Sequence, residues 1–100
     1  MLWAICRVAA PDFAAKREQN MQPHVDYLRS QKNILVISGA TRSDDGTQFL
    51  GSLLIVNVKT RAEAQAFVDG DPFTKAGLFT KVTVTRMNKG QFNPGAAEGA

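Results

Sequence analysis

The segment NILVISGATRSDDGTQFLGSLLIVNV, residues 33–58, contains two apolar runs joined by a turn. The first run, from about Asn33 to Thr41, is rich in the β-branched residues that favour strands. Ser43-Asp44-Asp45-Gly46 then carries an Asp-Gly dipeptide, a strong hairpin signal, and a second strand returns from about Phe49 to Val58. The segment therefore predicts an antiparallel β-hairpin.

A strand and a helix precede this hairpin. The apolar run from about Leu2 to Ala9 predicts the strand, and apolar residues at helical spacing predict a helix from Phe13 to about Gln31. Pro23 lies inside this helix, so the helix either kinks there or restarts with proline in its first turn. The stripe expected to face the core consists of Ala14, Met21, Val25 and Leu28.

A second helix, a short turn and a fourth strand follow the hairpin. Thr60-Arg61-Ala62-Glu63 is a capping box, which predicts a helix from there to about Asp69. The segment Asp71 to Gly77 indicates a short capped turn, and Phe79 to Met87 indicates the last strand. From Asn88 the chain is rich in Gly, Pro and Ala, and we expect its last residues to fray.

The resulting order of elements, β-α-β-β-α-β, is the ferredoxin-like split βαβ pattern, an α+β fold. Right-handed crossovers give an antiparallel sheet in the order 4-1-3-2, so the first and third strands are central. Both are apolar on both faces, as in Leu53-Leu54-Ile55-Val56, whereas helices cover only one face. We therefore expect a homodimer packed sheet against sheet, because an uncovered apolar face of this size is unfavourable.

Length and composition describe one globular domain. The chain has 100 residues, of which 44% are hydrophobic and 21% are charged. We assign the folded domain to residues 1–88 and the tail to residues 89–100. No apolar run approaches the roughly 18–20 residues that cross a bilayer, so no membrane span is expected. The first residues lack a basic leader, and Arg7 interrupts their apolar run, so we expect a cytoplasmic protein.

Several classes of function are disfavoured by residue types. The single Cys6 cannot form an internal disulfide, and within an apolar strand we expect it to behave as a small hydrophobe. The basic residues are scattered, and the third strand is aliphatic where RNA-binding domains of this topology carry aromatic residues, so nucleic acid is not an expected partner. No zinc-ligand spacing or phosphate-binding glycine loop is present, so we expect neither a metal nor a nucleotide cofactor.

Two residues are candidates for acid–base chemistry. His24, the only histidine, lies at the margin of the helical stripe, where it either points into a cleft between helix and sheet or remains a half-buried surface residue. Asp71 precedes Pro72 and either caps the short turn or orients an imidazole. Spacing does not place the two residues together, although the first helix and this turn can meet at one end of the sheet.

Two further residues are candidates for contacts with a ligand. Gly51 interrupts the third strand, which indicates a bulge or the close approach of another backbone or ligand. Ser52 then either offers its hydroxyl to a cleft or satisfies neighbouring backbone. Arg17 lies seven residues before His24, on a similar helix face, and either supplies a cation for an anionic ligand or is a solvated surface arginine.

The sequence resembles the YCII-related (YciI-like) proteins from about Met1 to Met87. The matching segments are Pro23-His24-Val25-Asp26-Tyr27-Leu28, Gly39, Asp44-Asp45-Gly46, Gly51-Ser52-Leu53-Leu54-Ile55-Val56, Ala62-Glu63-Ala64, Asp71-Pro72-Phe73 and Lys75-Ala76-Gly77-Leu78-Phe79. The resemblance implies a dimeric α+β barrel built from ferredoxin-like subunits, with acid–base roles for His24 and Asp71 in a cleft. It also implies a link to dehydrochlorination of hydroxylated aromatics, a lyase reaction. Ala40 stands where such proteins commonly have proline, so substrate identity is not transferred.

Together, residues and resemblance lead to a hypothesis of a small cytoplasmic enzyme without metal or organic cofactor. His24 would act as general acid/base, Asp71 would orient it, and Ser52 and Arg17 would position a small polar or aromatic substrate. The alternative is a non-catalytic module that binds a small molecule, or another partner, through the same cleft. Cofactor-independent oxygen chemistry, which other dimeric α+β barrels perform, is ranked last.

Overall fold

The hairpin and its flanking elements form as predicted in a computed structural model that describes residues 1–100. Its strands are β1 (Leu2–Ala9), β2 (Leu35–Arg42), β3 (Phe49–Asn57) and β4 (Phe79–Met87). Its helices are α1 (Phe13–Ser30), α2 (Arg61–Gly70) and α3 (Pro72–Lys75), and a short 3-10 helix spans Pro94–Ala97. None of the helices is long and apolar enough to reach across a bilayer.

The sheet has the order β2-β3-β1-β4, with every neighbouring pair antiparallel. This is the predicted order 4-1-3-2 viewed from the other edge, and it confirms that β1 and β3 are central. Trp3 and Ile5 on β1 and Leu54 and Val56 on β3 are buried in one cluster beneath α2. The opposite sheet face has no helix over it.

The long helix α1 departs from its predicted buried stripe at one end. It runs unbroken through Pro23, so the alternative of a restarted helix is wrong. Ala14 is exposed, whereas Phe13 is buried against Phe73 and Leu78. Burial of Phe13 is favoured over burial of Ala14, because the phenylalanine ring has the larger apolar area. The helical spacing of apolar residues in the sequence did not predict this orientation of the first turn.

The ends of α1 and α2 are held together beside Asp71. Tyr27 on α1 donates a hydrogen bond of 2.8 Å from its hydroxyl to the carbonyl of Phe67 on α2. Gly70 permits this approach, because a Cβ atom there would lie 2.6 Å from the Tyr27 hydroxyl oxygen. The helix α2 ends at Gly70, one residue beyond the predicted end at about Asp69.

The capping signals formed as expected. The Thr60 hydroxyl accepts a hydrogen bond from the backbone N–H of Glu63 at 3.1 Å, which starts α2. The Asp71 carboxylate accepts one from the backbone N–H of Phe73 at 3.0 Å, which starts α3 with proline in its first turn. The chain between α2 and α3 is thereby fixed in direction at Asp71.

Candidate active site

A cavity of about 140 Å³ lies between α1, α3 and the helix-covered face of the sheet. Its walls are largely apolar and include the rings of Phe13, Phe73 and Phe79. Its polar lining consists of Arg7, Arg17, His24, Ser38 and Ser52. Three of the four predicted site residues therefore line one cavity, and the fourth, Asp71, lies directly behind His24.

His24 and Asp71, which are 47 residues apart in the chain, are in direct contact. The distance between His24 Nδ1 and Asp71 Oδ1 is 2.7 Å. The Asp71 side chain is 1% exposed and that of His24 is 13% exposed. The sequence offered two alternatives for Asp71, a helix cap or a partner for an imidazole, and in the structure the same Oδ1 atom serves both contacts.

The charge state of Asp71 determines which nitrogen of the neutral His24 ring carries the proton. Burial opposes ionisation of Asp71, but hydrogen bonds from His24, Arg7 and the Phe73 N–H, together with the charge of Arg7, lower its pKa below the ordinary value. Asp71 is therefore a carboxylate at neutral pH and can only accept hydrogen bonds. Nδ1 of His24 must therefore carry the proton of this hydrogen bond. The other ring nitrogen, Nε2, has no hydrogen-bond partner in the protein and is available to a ligand in the cavity.

The plane of the imidazole is held by an aromatic ring. Phe73 stacks on His24 with the ring centroids 3.7 Å apart and the planes inclined by 2°. The backbone N–H of Phe73 also donates a hydrogen bond to Asp71 Oδ1, the oxygen that contacts His24 Nδ1. The turn that carries Asp71 therefore fixes the ring both by a hydrogen bond at its edge and by packing on its face.

Arg7 is a site residue that the sequence interpretation missed. Its Nη1 donates to Asp71 Oδ2 at 2.6 Å and to Thr74 Oγ1 at 3.2 Å, and its Nε donates to Ser52 Oγ at 2.8 Å. The guanidinium carbon lies 4.1 Å from the centroid of the Phe79 ring. Burial lowers the pKa of Arg7 and the Asp71 carboxylate opposes that effect, so the guanidinium remains charged at neutral pH.

A signal for Arg7 was present in the alternation of β1. Trp3, Ile5 and Arg7 occupy alternate positions, so the arginine shares the face that points into the core. It is 4% exposed, and Arg7 and Asp71 are the only charged residues that are buried in the structure. A charged residue on the buried face of a central strand requires a buried counter-charge, and this argument would have identified Arg7 as part of a site.

The predicted irregularity at Gly51 is a close approach of two strands. A Cβ atom at Gly51 would lie 1.8 Å from the carbonyl oxygen of Arg7, so only glycine fits. The next residue, Ser52, lies opposite Arg7 in the register of β1 and β3. The Ser52 oxygen accepts from Arg7 Nε, which leaves its own hydroxyl hydrogen for another acceptor.

Arg17 lies in the same cavity wall but is separate from the His24 and Asp71 contact. Its guanidinium carbon lies 4.2 Å from the centroid of the Phe49 ring, and the residue is half-buried. Arg17 forms no ion pair and donates no hydrogen bond within the protein, unlike Arg7. No group of three or more His, Cys, Asp or Glu side chains is arranged to hold a metal ion.

Comparison with known proteins identifies the family. The model of the YCII-related domain matches residues 1–88, whereas curated protein sequences gave no significant match. A similar solved structure is 5-chloro-2-hydroxyhydroquinone dehydrochlorinase (TftG) from Burkholderia phenoliruptrix AC1100, in complex with 2,5-dihydroxybenzoquinone. The TM-score is 0.79 and the identity 35%, covering 88% of this chain and 94% of that chain. These findings confirm the expected fold and resemblance, and the chain belongs to the YCII-related family.

Proposed function

We propose that this protein is a small dehydrochlorinase-like enzyme, a lyase that uses His24 and Asp71 for general acid/base chemistry on a single-ring aromatic substrate. The observation that carries the proposal is the 2.7 Å contact between His24 Nδ1 and Asp71 Oδ1 at the wall of a largely apolar cavity. The likeness to a dehydrochlorinase at 35% identity supports the class of reaction.

His24 is the proposed proton-transfer group and acts through Nε2. The neutral ring accepts a proton at Nε2 from a substrate hydroxyl, and the Asp71 carboxylate stabilises the imidazolium that forms. The stacked Phe73 ring keeps Nε2 aimed in one direction during this transfer. Positioned acid–base catalysis of this kind contributes about 10²–10⁴-fold to a rate.

Three further residues support this chemistry in the proposal. Arg7 is a positioning residue, because its hydrogen bond to Asp71 Oδ2 keeps that carboxylate ionised. Ser52 donates its hydroxyl hydrogen to a substrate oxygen, since its own oxygen is occupied by Arg7 Nε. Arg17 supplies a positive charge in the cavity wall.

The size of the cavity favours a single ring. Its volume is about 140 Å³. An apolar protein cavity of about 150 Å³ is known to take up benzene, so this cavity matches the size of one aromatic ring. Polar groups at its wall then select rings that carry hydroxyl or other oxygen substituents.

Dehydrochlorination requires only proton transfers and a leaving group. Removal of a hydroxyl proton by Nε2 pushes an electron pair into the ring, and the imidazolium returns a proton to the carbon that bears chlorine. Loss of a second hydroxyl proton then expels chloride with the electrons of the C–Cl bond and leaves a quinone. The net change is loss of HCl, in which no oxidant or reductant takes part, so we propose that the enzyme needs neither metal nor organic cofactor.

We further propose that two copies pack through the uncovered sheet face. Val8, Ile37 and Leu53 on this face are 48%, 52% and 40% exposed in the single chain. Exposed aliphatic residues on two central strands and a neighbouring strand form a continuous apolar surface that a second sheet would cover. The free thiol of Cys6 is also exposed there, which fits a reducing compartment such as the cytoplasm. Analytical ultracentrifugation at micromolar concentration should give the dimer mass, and a monomer mass would contradict the proposal.

Chloride release from 5-chloro-2-hydroxyhydroquinone tests the catalytic proposal. The wild-type protein should release chloride above the spontaneous rate, with saturation in substrate. His24→Gln should lower the rate by about 10²–10⁴-fold, because it removes the proton-transfer atom. Glu18→Gln, at an exposed position on the same helix, is the matched control and should keep the wild-type rate.

The same incubations separate an enzyme from a binding module. A compound that binds the wild-type protein and is recovered intact by mass spectrometry would favour the non-catalytic alternative. Equal chloride release from His24→Gln and wild-type protein would show that the histidine is not the base. If the compound is neither bound nor turned over, this substrate class is excluded.

A further inference from the structure

The guanidinium group of Arg7 has hydrogen-bond donors that the protein leaves unused. Its Nε donates to Ser52 at 2.8 Å, and its Nη1 donates to Asp71 at 2.6 Å and to Thr74 at 3.2 Å. A guanidinium carries five N–H donors, so these three hydrogen bonds leave both donors of Nη2 without a partner in the protein. Arg7 is therefore fixed in position by three contacts while one of its nitrogens is free.

The free nitrogen, Nη2, opens onto the cavity of the candidate active site. The Arg7 side chain is only 2% exposed, and it is part of the cavity lining. No fully buried polar side-chain atom lacks a hydrogen-bond partner, so the unpaired Nη2 is not sealed within the core. The guanidinium also packs on the ring of Phe79, another residue of the lining. A molecule in the cavity is therefore the partner left for Nη2.

A charged donor at the wall of an apolar cavity calls for an acceptor. Polar groups inside proteins are almost always hydrogen-bonded, and an unpaired one costs free energy, most of all when it is charged. Ser52 lies opposite Arg7 in the register of β1 and β3, and its hydroxyl hydrogen is free as well. Two donors from neighbouring strands therefore lie side by side, which indicates that this part of the wall binds an oxygen atom of the ligand.

The charge balance of Arg7 favours an uncharged acceptor. The Asp71 carboxylate lies 2.6 Å from Nη1 and compensates the charge of the guanidinium, so the pair carries no net charge. A hydroxyl or carbonyl oxygen accepts a hydrogen bond from Nη2 without the cost of burying a further charge. Hydroxylated rings and quinones carry oxygens of this kind.

We propose that Arg7 is itself a substrate-binding residue, whose Nη2 donates a hydrogen bond to a second, uncharged oxygen of the ring, either a hydroxyl or a quinone carbonyl. The inference rests on the proposed function in taking the occupant of the cavity to be the substrate. One ring oxygen then faces Nε2 of His24, and the other is held at the sheet wall by Arg7 beside Ser52. A single guanidinium binds the substrate through Nη2 and holds the Asp71 carboxylate through Nη1.

Calorimetric titration of the wild-type protein with phenol and the three dihydroxybenzenes tests this contact. The four rings are similar in size, and the dihydroxybenzenes place the second oxygen at each ring position in turn. At least one of them should bind roughly 10- to 100-fold more tightly than phenol, as expected for a hydrogen bond from a charged group. The isomer that binds most tightly is the probe for the variants.

Variants in an Asp71→Asn background separate a direct contact from an effect through the carboxylate. Asp71→Asn removes the charge through which Arg7 acts on His24 but keeps Nη2, so this variant should still prefer the probe over phenol. Adding Arg7→Met should reduce the preference to about threefold or less, with little change in affinity for phenol. Adding Arg86→Met instead, which removes an exposed arginine on β4, is the control and should keep the preference.

A second measurement needs no destabilising substitution. In ¹⁵N-labelled wild-type protein, the guanidinium N–H resonances of Arg7 should shift when the probe is added and stay in place when phenol is added. The guanidinium resonances of Arg86, which is exposed, should not move with either compound.

Equal affinity of the wild-type protein for phenol and all three dihydroxybenzenes would overturn the proposal, and so would failure of all four to bind at millimolar concentration. Unshifted Arg7 resonances, or a preference that Arg7→Met leaves intact in the Asp71→Asn background, would show that Arg7 acts only through Asp71. Chloride release separates this result from the catalytic proposal. If the preference depends on Arg7 but the wild-type protein releases no chloride, the contact stands and the proposed reaction fails. Chloride release without the preference would show the reverse.

Discussion

Replacing Arg7 with methionine would leave the Asp71 carboxylate buried without its arginine partner. The substitution deletes the 2.6 Å hydrogen bond to Asp71 Oδ2 and the donors to Ser52 and Thr74, while methionine retains much of the apolar stem. Asp71 is buried and would keep only the contacts from His24 and the Phe73 N–H. The variant therefore isolates the contribution of one buried charge pair.

The expected loss of stability is large for a domain of this size. Removing one partner of a buried ion pair costs about 3–5 kcal/mol, because the remaining charge is desolvated without compensation. Small domains have free energies of unfolding of about 5–15 kcal/mol, so Arg7→Met should lose a substantial fraction of the total. Arg86→Met, which removes an exposed arginine without an ion pair, should change the free energy by no more than about 0.5 kcal/mol.

The pH dependence of the effect follows from the lowered pKa of Asp71 in the folded protein. A carboxyl group whose pKa is lower when folded stabilises the fold above its unfolded pKa, and this contribution disappears as the pH falls through the folded pKa. Arg7→Met removes causes of that lowering, so the folded pKa of Asp71 should rise. The acid side of the stability profile should therefore begin its decline at a higher pH in the variant.

Urea unfolding measures both effects. The protein concentration is held fixed, because the apparent stability of the proposed dimer would depend on it. The fluorescence of Trp3, the only tryptophan and 6% exposed, reports loss of the core. The double variant Arg7→Met with Asp71→Asn should recover part of the loss, since the uncompensated charge is gone. Equal stability and equal acid profiles for Arg7→Met and Arg86→Met would refute the assignment of Arg7 to a buried pair.

Two further substitutions test contacts that shape the site. Gly51→Ala should lower the free energy of unfolding by roughly 3 kcal/mol or more, because its Cβ would lie 1.8 Å from the Arg7 carbonyl oxygen and the strands would have to separate. The control Gly90→Ala, where nothing lies within 4 Å, should leave the stability nearly unchanged. Similar melting temperatures for the two variants would contradict this expectation. Tyr27→Phe should lower the free energy of unfolding by about 1 kcal/mol, because it removes the 2.8 Å hydrogen bond to the Phe67 carbonyl. An unchanged urea midpoint would show that this hydrogen bond does not stabilise the packing of α1 against α2.

Much of the architecture follows from local sequence patterns. The Asp-Gly turn between two apolar runs predicted the hairpin, and the order of elements with right-handed crossovers predicted the sheet order. The boundaries in the structure differ from those predictions by two residues at most. Periodicity failed at the start of α1, where Phe13 is buried in place of Ala14, because the rotation of a helix depends on which side chains its neighbours accept.

The sequence alone also determined which residue types were available for chemistry: one histidine, an aspartate before proline, and a serine after a strand glycine. The contacts of Asp71 with His24, 47 residues away in the chain, and with Arg7, 64 residues away, arise only through tertiary packing. Those contacts arise where α1, β1 and α3 pack, and their distances depend on the packing of side chains such as Tyr27 against Gly70. Local patterns encode the elements because they depend on neighbouring residues, whereas a site depends on the angles at which distant elements pack.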